Sequence, residues 1–207
     1  ARRREHGPDV LLTLDGRRVC AQALGQARDT MGFGTRSANP LFFRLDRSRE
    51  AARLFHDRIA ALKRHNRHAG AVDVHDMDDY QSCDLYLSEN GRAGFAVKDG
   101  DELVSVFSYE GEHAGDALVE KAKANGATHL DCYHIGERGL PFFYGRHGFT
   151  PVARVAWDDR FAPDGWDYAL NGRPDVVAMA LCDRRKDVPV TDYDTAVSMS
   201  ARAGRMN

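Results

Sequence analysis

Three stretches of this 207-residue chain carry side chains of the types that do chemistry. Asp131, Cys132 and His134 lie close together at the end of a strand-like run, Thr128-His-Leu-Asp-Cys-Tyr133. An imidazole titrates in the range useful to a general base, and a thiol two residues away is a candidate nucleophile. Alternation, however, places Cys132 with Leu130, facing a helix, so a buried structural thiol is the better reading and Asp131 and His134 are the better proton acceptors. A second group, Asp73, His75, Asp76, Asp78 and Asp79, has the ligand types of a metal site. Its spacing is neither that of a calcium loop nor that of paired helical histidines, so the expectation is no metal and an acidic turn capping a short helix near Met77 to Gln81. The third, Lys63-Arg-His-Asn-Arg-His68, could touch nucleic acid, but cations at the end of a helix more simply complement its negative terminus.

The elements that must position these groups can be read from periodicity. Ser48 is a helix cap, Glu50 falls in the first turn, and Ala52, Phe55, Ile59 and Leu62 recur at helical spacing. Short strands come next at Ala71 to Val74, Leu85 to Leu87, Gly94 to Val97 and Leu103 to Phe107. Glu89-Asn-Gly-Arg92 and Lys98-Asp-Gly-Asp101 are hairpin turns, so the last strands form an antiparallel meander. A helix from Ala114 to Asn125 ends at Gly126, and the strand at Thr128 to Tyr133 is reached through a three-residue connection. That order implies a crossover to a parallel neighbour. A short helix from Leu140 to Arg146 precedes strands at Phe149 to Ala156 and Asp175 to Leu181. The expected organisation is an N-terminal, partly helical extension over 1–47, one α+β domain over 48–183, and a polar arm over 184–207 that lacks periodicity.

Composition narrows the class. With 43% hydrophobic and 9% aromatic residues the chain is neither disordered nor collagen-like. Its length allows burial of roughly 70% of the unfolded surface. The net charge of −2 conceals a segregation: residues 1–72 hold fifteen Lys and Arg against seven acids, residues 73–116 hold two against twelve, and the remainder balances. No apolar run approaches the ~20 residues of a membrane span, and no secretory leader is visible. Four scattered cysteines, Cys20, Cys83, Cys132 and Cys182, suit reduced thiols in a cytoplasmic compartment.

The most specific phrase is Pro141-Phe-Phe-Tyr-Gly-Arg-His-Gly-Phe149. It resembles the last helix of the GNAT superfamily of N-acetyltransferases, whose FYxxxGF motif is matched by Phe143, Tyr144, Gly148 and Phe149, and the order of elements from 71 to 182 is similar too. The resemblance implies a GNAT-like fold, a mixed sheet of antiparallel meander plus βαβ, that takes acetyl-CoA where two central strands splay apart. It implies Tyr144 as the acid for the departing thiolate, Asp131 or His134 as the base, with Glu102 or Glu110 as alternatives, and a backbone amide among Val106, Phe107 and Ser108 as oxyanion donor. The diphosphate would lie on Tyr109-Glu-Gly-Glu-His-Ala-Gly115, held by Gly111, His113, Ala114 and Gly115. Here the sequence departs from the family pattern: Glu110 stands where a basic residue belongs and His113 where a central glycine belongs. The resemblance and the departure support two expectations. One is an acetyltransferase acting on a primary amine, on a small molecule or a lysine side chain. The other is a catalytically degenerate assembly module of the kind found in phage and mobile elements, forming homo-oligomers or larger assemblies through its terminal arms. Nucleic acid and membrane are not expected partners.

Overall fold

A computed structural model describes residues 40–206 except Asp73 and Arg138. The partly helical extension expected over 1–47, with Cys20, lies outside the described residues apart from its last positions. The first strand, β1 (Phe42–Arg44), is followed by α1 (Arg49–His65), a 3-10 turn (Arg67–Ala71) and α2 (Met77–Ser82). Then come β2 (Asp84–Ser88), β3 (Ala93–Lys98), β4 (Glu102–Ser108), α3 (Gly115–Ala124), β5 (His129–Tyr133), α4 (Leu140–Arg146) and β6 (Phe149–Val155). The chain closes with a 3-10 turn (Asp159–Phe161), α5 (Tyr168–Asn171), β7 (Val176–Leu181) and α6 (Tyr193–Arg205). The strands form a seven-stranded sheet in the order β1-β2-β3-β4-β5-β7-β6. All neighbours are antiparallel except β4 and β5. An antiparallel meander joined to a βαβ crossover is the α+β mixed-sheet order that the resemblance implies. Among the described residues no helix is long and apolar enough to cross a membrane.

The local chemistry explains the elements. Ser48 caps α1, its hydroxyl accepting from the Ala51 amide at 3.1 Å, and Ala52, Phe55, Ile59 and Leu62 are buried on one stripe. Asp76 caps α2 by accepting from the amides of Asp78 and Asp79, so the acidic group with metal-ligand residue types begins a helix.

Three expectations are corrected. Among the described residues of 71–74 there is no strand: Arg67–Ala71 is a 3-10 turn, and Val72 and Val74 pack against the α1 and α2 core instead. The place beside β2 is already taken by Phe42–Arg44, which moves that segment from the N-terminal extension into the domain. The polar arm over 184–207 is not an arm. Its backbone runs along the β6 edge, where the Arg154 amide donates to Pro189 O at 2.8 Å and the Thr191 amide donates to Arg154 O at 2.8 Å, and then forms α6. This helix buries Ala196, Ser200, Ala203 and Gly204 against the β5, β6 and β7 half of the sheet. Small residues at helical spacing make a packing face that carries almost no hydrophobic signal.

One sheet face is therefore covered by α1 and α2 over β1 to β4 and by α6 over β5 to β6. The other carries α3 and α4.

Candidate active site

β4 and β5 pair, among the described residues, at one position, Glu102 with His129, and are tied there by Asp101 O, which accepts from Thr128 N at 2.8 Å and His129 N at 3.3 Å. Beyond that point they fork. β4 is also bulged: Gly94 and Ala96, two apart on β3, oppose Phe107 and Val104, three apart on β4. Ser105 sits in the extra space with φ 51°, a left-handed conformation costly for a serine. Its hydroxyl lies 2.9 Å from that of buried Tyr80, and the Tyr80 oxygen in turn accepts from the His75 amide at 3.1 Å. The bulge reverses the facing of the residues after it. Leu103 and Val106 pack toward α3 and α4, whereas Val104 and Phe107 pack toward α1 and α2. In a regular strand residues three apart would face opposite ways. Val106, Phe107 and Ser108 thus lie on the open arm of the fork, where β5 uses none of their backbone groups.

The two faces bring different groups to this fork. Tyr144 is buried on the α3 and α4 side, with edge-on ring contacts to Phe143 at 5.2 Å and Phe149 at 6.0 Å. Burial pushes its phenol well above the usual tyrosine range, and the neighbouring Cys132 and Asp131 push in the same direction. Cys132 shares this side, its Sγ 3.9 Å from Met179 Sδ, and burial holds its thiol far above the ordinary range. Such a thiol is not a nucleophile at neutral pH. Asp131 alternates to the opposite side, where its cross-strand partner Ala178 meets α6 and the Tyr193 hydroxyl donates to Asp131 Oδ1 at 3.3 Å. His134 lies past the end of β5, exposed, with its amide donating to Asp175 O at 2.9 Å. Glu102 sits at the closed end of the fork, 3.7 Å from Lys98 Nζ. Tyr144 and Asp131 thus lie on opposite faces of the sheet, the Val106 to Ser108 arm diverges from β5, and His134 and Glu102 lie at the margins.

The loop after β4 runs from Tyr109 into α3. Tyr109 is anchored by donating from its hydroxyl to Arg58 O at 2.6 Å, and its amide donates to Arg92 O at 2.8 Å. Gly111 has φ 84° with open space around it, and His113, exposed, has φ 50°. Ala114 is the N-cap, and its methyl claims none of the first-turn amides. A side chain at Gly115 would meet the Phe143 ring at 3.1 Å, so this glycine lets α3 start close against α4. Of the two loop acids, Glu110 is exposed, while Glu112 is turned to the β2 and β3 hairpin, bound by Arg92 Nε at 2.5 Å and Asn90 Nδ2 at 2.8 Å. Asp116 likewise turns aside to His147 Nε2 at 2.9 Å, and His147 Nδ1 lies 2.7 Å from Glu120, whose carboxyl this hydrogen bond holds below the usual range. The residues present fit an anion at α3: amides without a side-chain cap, and acids drawn away from them.

Sequence reasoning missed Ser105, Arg92 and Tyr193. A left-handed serine inside Leu103-Val-Ser-Val-Phe107 has no local signature, because the formal alternation there is regular. Arg92 is twenty residues from its partner. Tyr193 belongs to the segment whose sequence reads as an arm.

No protein-family model matches the chain, and no curated protein does. Among solved structures it is similar to a GCN5-related N-acetyltransferase from Rhodopseudomonas palustris, described also as a class-II aminotransferase, at 14% identity over 72% of this chain and 98% of that one, with a TM-score of 0.38. It is also similar to a candidate phosphinothricin N-acetyltransferase, at 14% identity over 63% of this chain and 94% of that one, with a TM-score of 0.42. Overlaps of this size decide nothing about activity; the strand order and the fork carry the fold reading.

Proposed function

We propose that this chain is a GNAT-like N-acetyltransferase that moves an acetyl group from acetyl-CoA to a primary amine. The observation that carries the reading is the fork between β4 and β5, with a buried phenol beneath one face and a carboxylate on the other. Bound acetyl-CoA would supply an activated acyl thioester. Gly111, His113, Ala114 and Gly115 would hold its diphosphate through amides and the helix N-terminus. An amide among Val106, Phe107 and Ser108, on the arm that β5 leaves unpaired, would donate to a developing oxyanion. Asp131 accepts the proton of the incoming ammonium on the α6 side, with His134 as the alternative acceptor at the rim. Tyr144 keeps its proton at neutral pH because burial disfavours the phenolate, so it can donate to the departing sulfur. The acceptor is read as cationic because the acidic turn at Asp76, Asp78 and Asp79 leads through His75 and Tyr80 to the bulge. Free Cys83, Cys132 and Cys182 suit a cytoplasmic setting.

Calorimetry of the whole chain with acetyl-CoA and with CoA tests binding, and thiol release in the presence of a panel of amines tests turnover. Tyr144→Phe keeps the ring packing and removes the donor, so kcat should fall by about 10²-fold or more with little change in acetyl-CoA affinity. Absence of binding at millimolar concentrations refutes the enzymatic reading. Exposed Glu110 and the left-handed His113 favour the second reading, a catalytically silent GNAT-fold binding or assembly module, of phage or mobile-element type. For that reading the measurement is the oligomeric state of the whole chain, because removing residues 184–207 would strip α6 from the core.

A further inference from the structure

We infer that the tip of the β2 and β3 hairpin is a charge clamp: Arg92 and Asn90 are positioning residues that hold Glu112 away from the start of α3 and keep it open to a diphosphate. This rests on the acetyl-CoA reading above. Glu112 lies three residues before Gly115, the first residue of α3. A carboxylate there, left to itself, is attracted to the same first-turn amides that a ligand would use, and it repels an anion already bound to them. Instead both of its oxygens are occupied elsewhere: Oε1 by Arg92 Nε at 2.5 Å and Oε2 by Asn90 Nδ2 at 2.8 Å.

The clamp is held in place independently of Glu112. Asn90 Oδ1 accepts from the Arg92 amide at 3.0 Å and from the Ser88 hydroxyl at 2.8 Å. The Arg92 guanidinium stands 5.1 Å from the centre of the Tyr109 ring, and that ring is tied to α1 through its hydroxyl. Arg92 is one of the two cations in the acidic stretch 73–116, the other being Lys98. The basic residue absent from the loop is therefore supplied from across the hairpin, where it cancels the acid rather than touching the phosphates first.

The experiment measures acetyl-CoA affinity by calorimetry for wild type, Arg92→Ala, Glu112→Gln and the double variant, together with KM for S-acetylpantetheine, which lacks the diphosphate. Arg92→Ala should weaken acetyl-CoA on the order of tenfold by releasing one negative charge near the site. Glu112→Gln, which unmasks the Arg92 charge, should bind more tightly than wild type. The double variant should recover affinity relative to Arg92→Ala, and the KM for S-acetylpantetheine should stay level across the set. Loss in Arg92→Ala without recovery in the double variant, or an equal loss toward S-acetylpantetheine, overturns the clamp and leaves the acetyltransferase reading standing. Wild-type protein that binds no acetyl-CoA overturns both.

Discussion

The same sheet face is closed in two different ways. Over β1 to β4, α1 and α2 bring large side chains: Phe55, Ile59, Leu62 and Tyr80 are buried, and Phe55 meets Tyr80 at 5.1 Å and Phe107 at 5.6 Å between ring centres. Over β5 to β6, α6 brings Ala196, Ser200, Ala203 and Gly204 against Ala178, Ala180, Val152 and Ala153. One half gains its stability from area, the other from close backbone approach. Area tolerates small shifts, whereas close approach has no slack. The fork lies on the seam between them, with Ser105 tied to the large-residue half through Tyr80 and Asp131 tied to the small-residue half through Tyr193. A change in either half should reach the site from one side only.

The largest expected effect is in the α1 half. Phe55→Ala removes a fully buried ring with two aromatic contacts and should cost about 3–5 kcal/mol in urea unfolding. It should also loosen Phe107, and with it the bulged arm of β4. In the α6 half the damaging change is an addition. A Cβ at Gly204 would stand 2.6 Å from Thr128 Oγ1 and 2.8 Å from Thr128 O, the latter backbone that cannot step aside. Gly204→Val should cost about 1–3 kcal/mol through overpacking, with hydrogen exchange accelerating in α6 and β5 before α1. If α1 and α6 amides speed up together, the two halves are one cooperative unit and the contrast between them fails.

Acid should also separate the halves. His129, buried on β5 under α6, has its imidazole pKa lowered by burial, against the opposing pull of Glu102 and Asp101 and with Arg205 adding to the depression. Its Nδ1, the Asp101 Oδ1 and the Thr128 Oγ1 are buried without partners among the described residues, and Arg205 closes the cluster by donating to Asp101 Oδ2 at 2.6 Å. A histidine with a depressed folded pKa contributes stability that is complete above its unfolded value of about 6.5 and is lost as pH falls below it. In the α1 half, Asp84 is bound by Arg44 and Arg47. Burial opposes ionisation there, but the two guanidiniums win and its carboxyl is held below the usual range. That contribution persists above about pH 4 and disappears only below it. Between about pH 7.5 and 5.5 the urea midpoint should therefore drop, with α6 amides losing protection first, and His129→Asn should flatten the dependence. A drop of the same size in His129→Asn assigns it to other groups.

The contrast also explains what the sequence makes legible. α1, β2 to β4, α3, α4 and the closing pair are readable because large apolar residues recur at a period the element dictates, and Gly148 and Phe149 punctuate α4. α6 is not readable, since alanine, serine and glycine at helical spacing look like a polar tail until a neighbouring strand of alanines is seen to meet them. The fork is implied by one motif, but the bulge beside it is hidden: the contact made by its left-handed serine is with Tyr80, twenty-five residues away. Glu112 reads as an obstacle in the sequence because its partner Arg92 lies on another element. In each case the missing information is a pairing, not a residue type.

The smallest expected effect compares the two helix starts. Ser48 caps α1 through the Ala51 amide, and Asp192 caps α6 through the Thr195 amide at 2.9 Å and the Thr195 hydroxyl at 2.7 Å. Ser48→Ala should cost about 1 kcal/mol of global stability, because α1 cannot leave its core without the whole domain opening. Asp192→Ala removes an exposed cap from a helix held by small contacts, so its effect should be seen locally, as faster exchange of the first α6 amides at an almost unchanged urea midpoint. Tyr193 is the first residue of that helix, so the same variant should loosen the hydroxyl that holds Asp131 and raise the KM for the amine without altering affinity for acetyl-CoA. Equal shifts of the urea midpoint in both variants would show that α6 is as deeply committed to the fold as α1, and that close approach of small residues secures a helix as firmly as buried rings do.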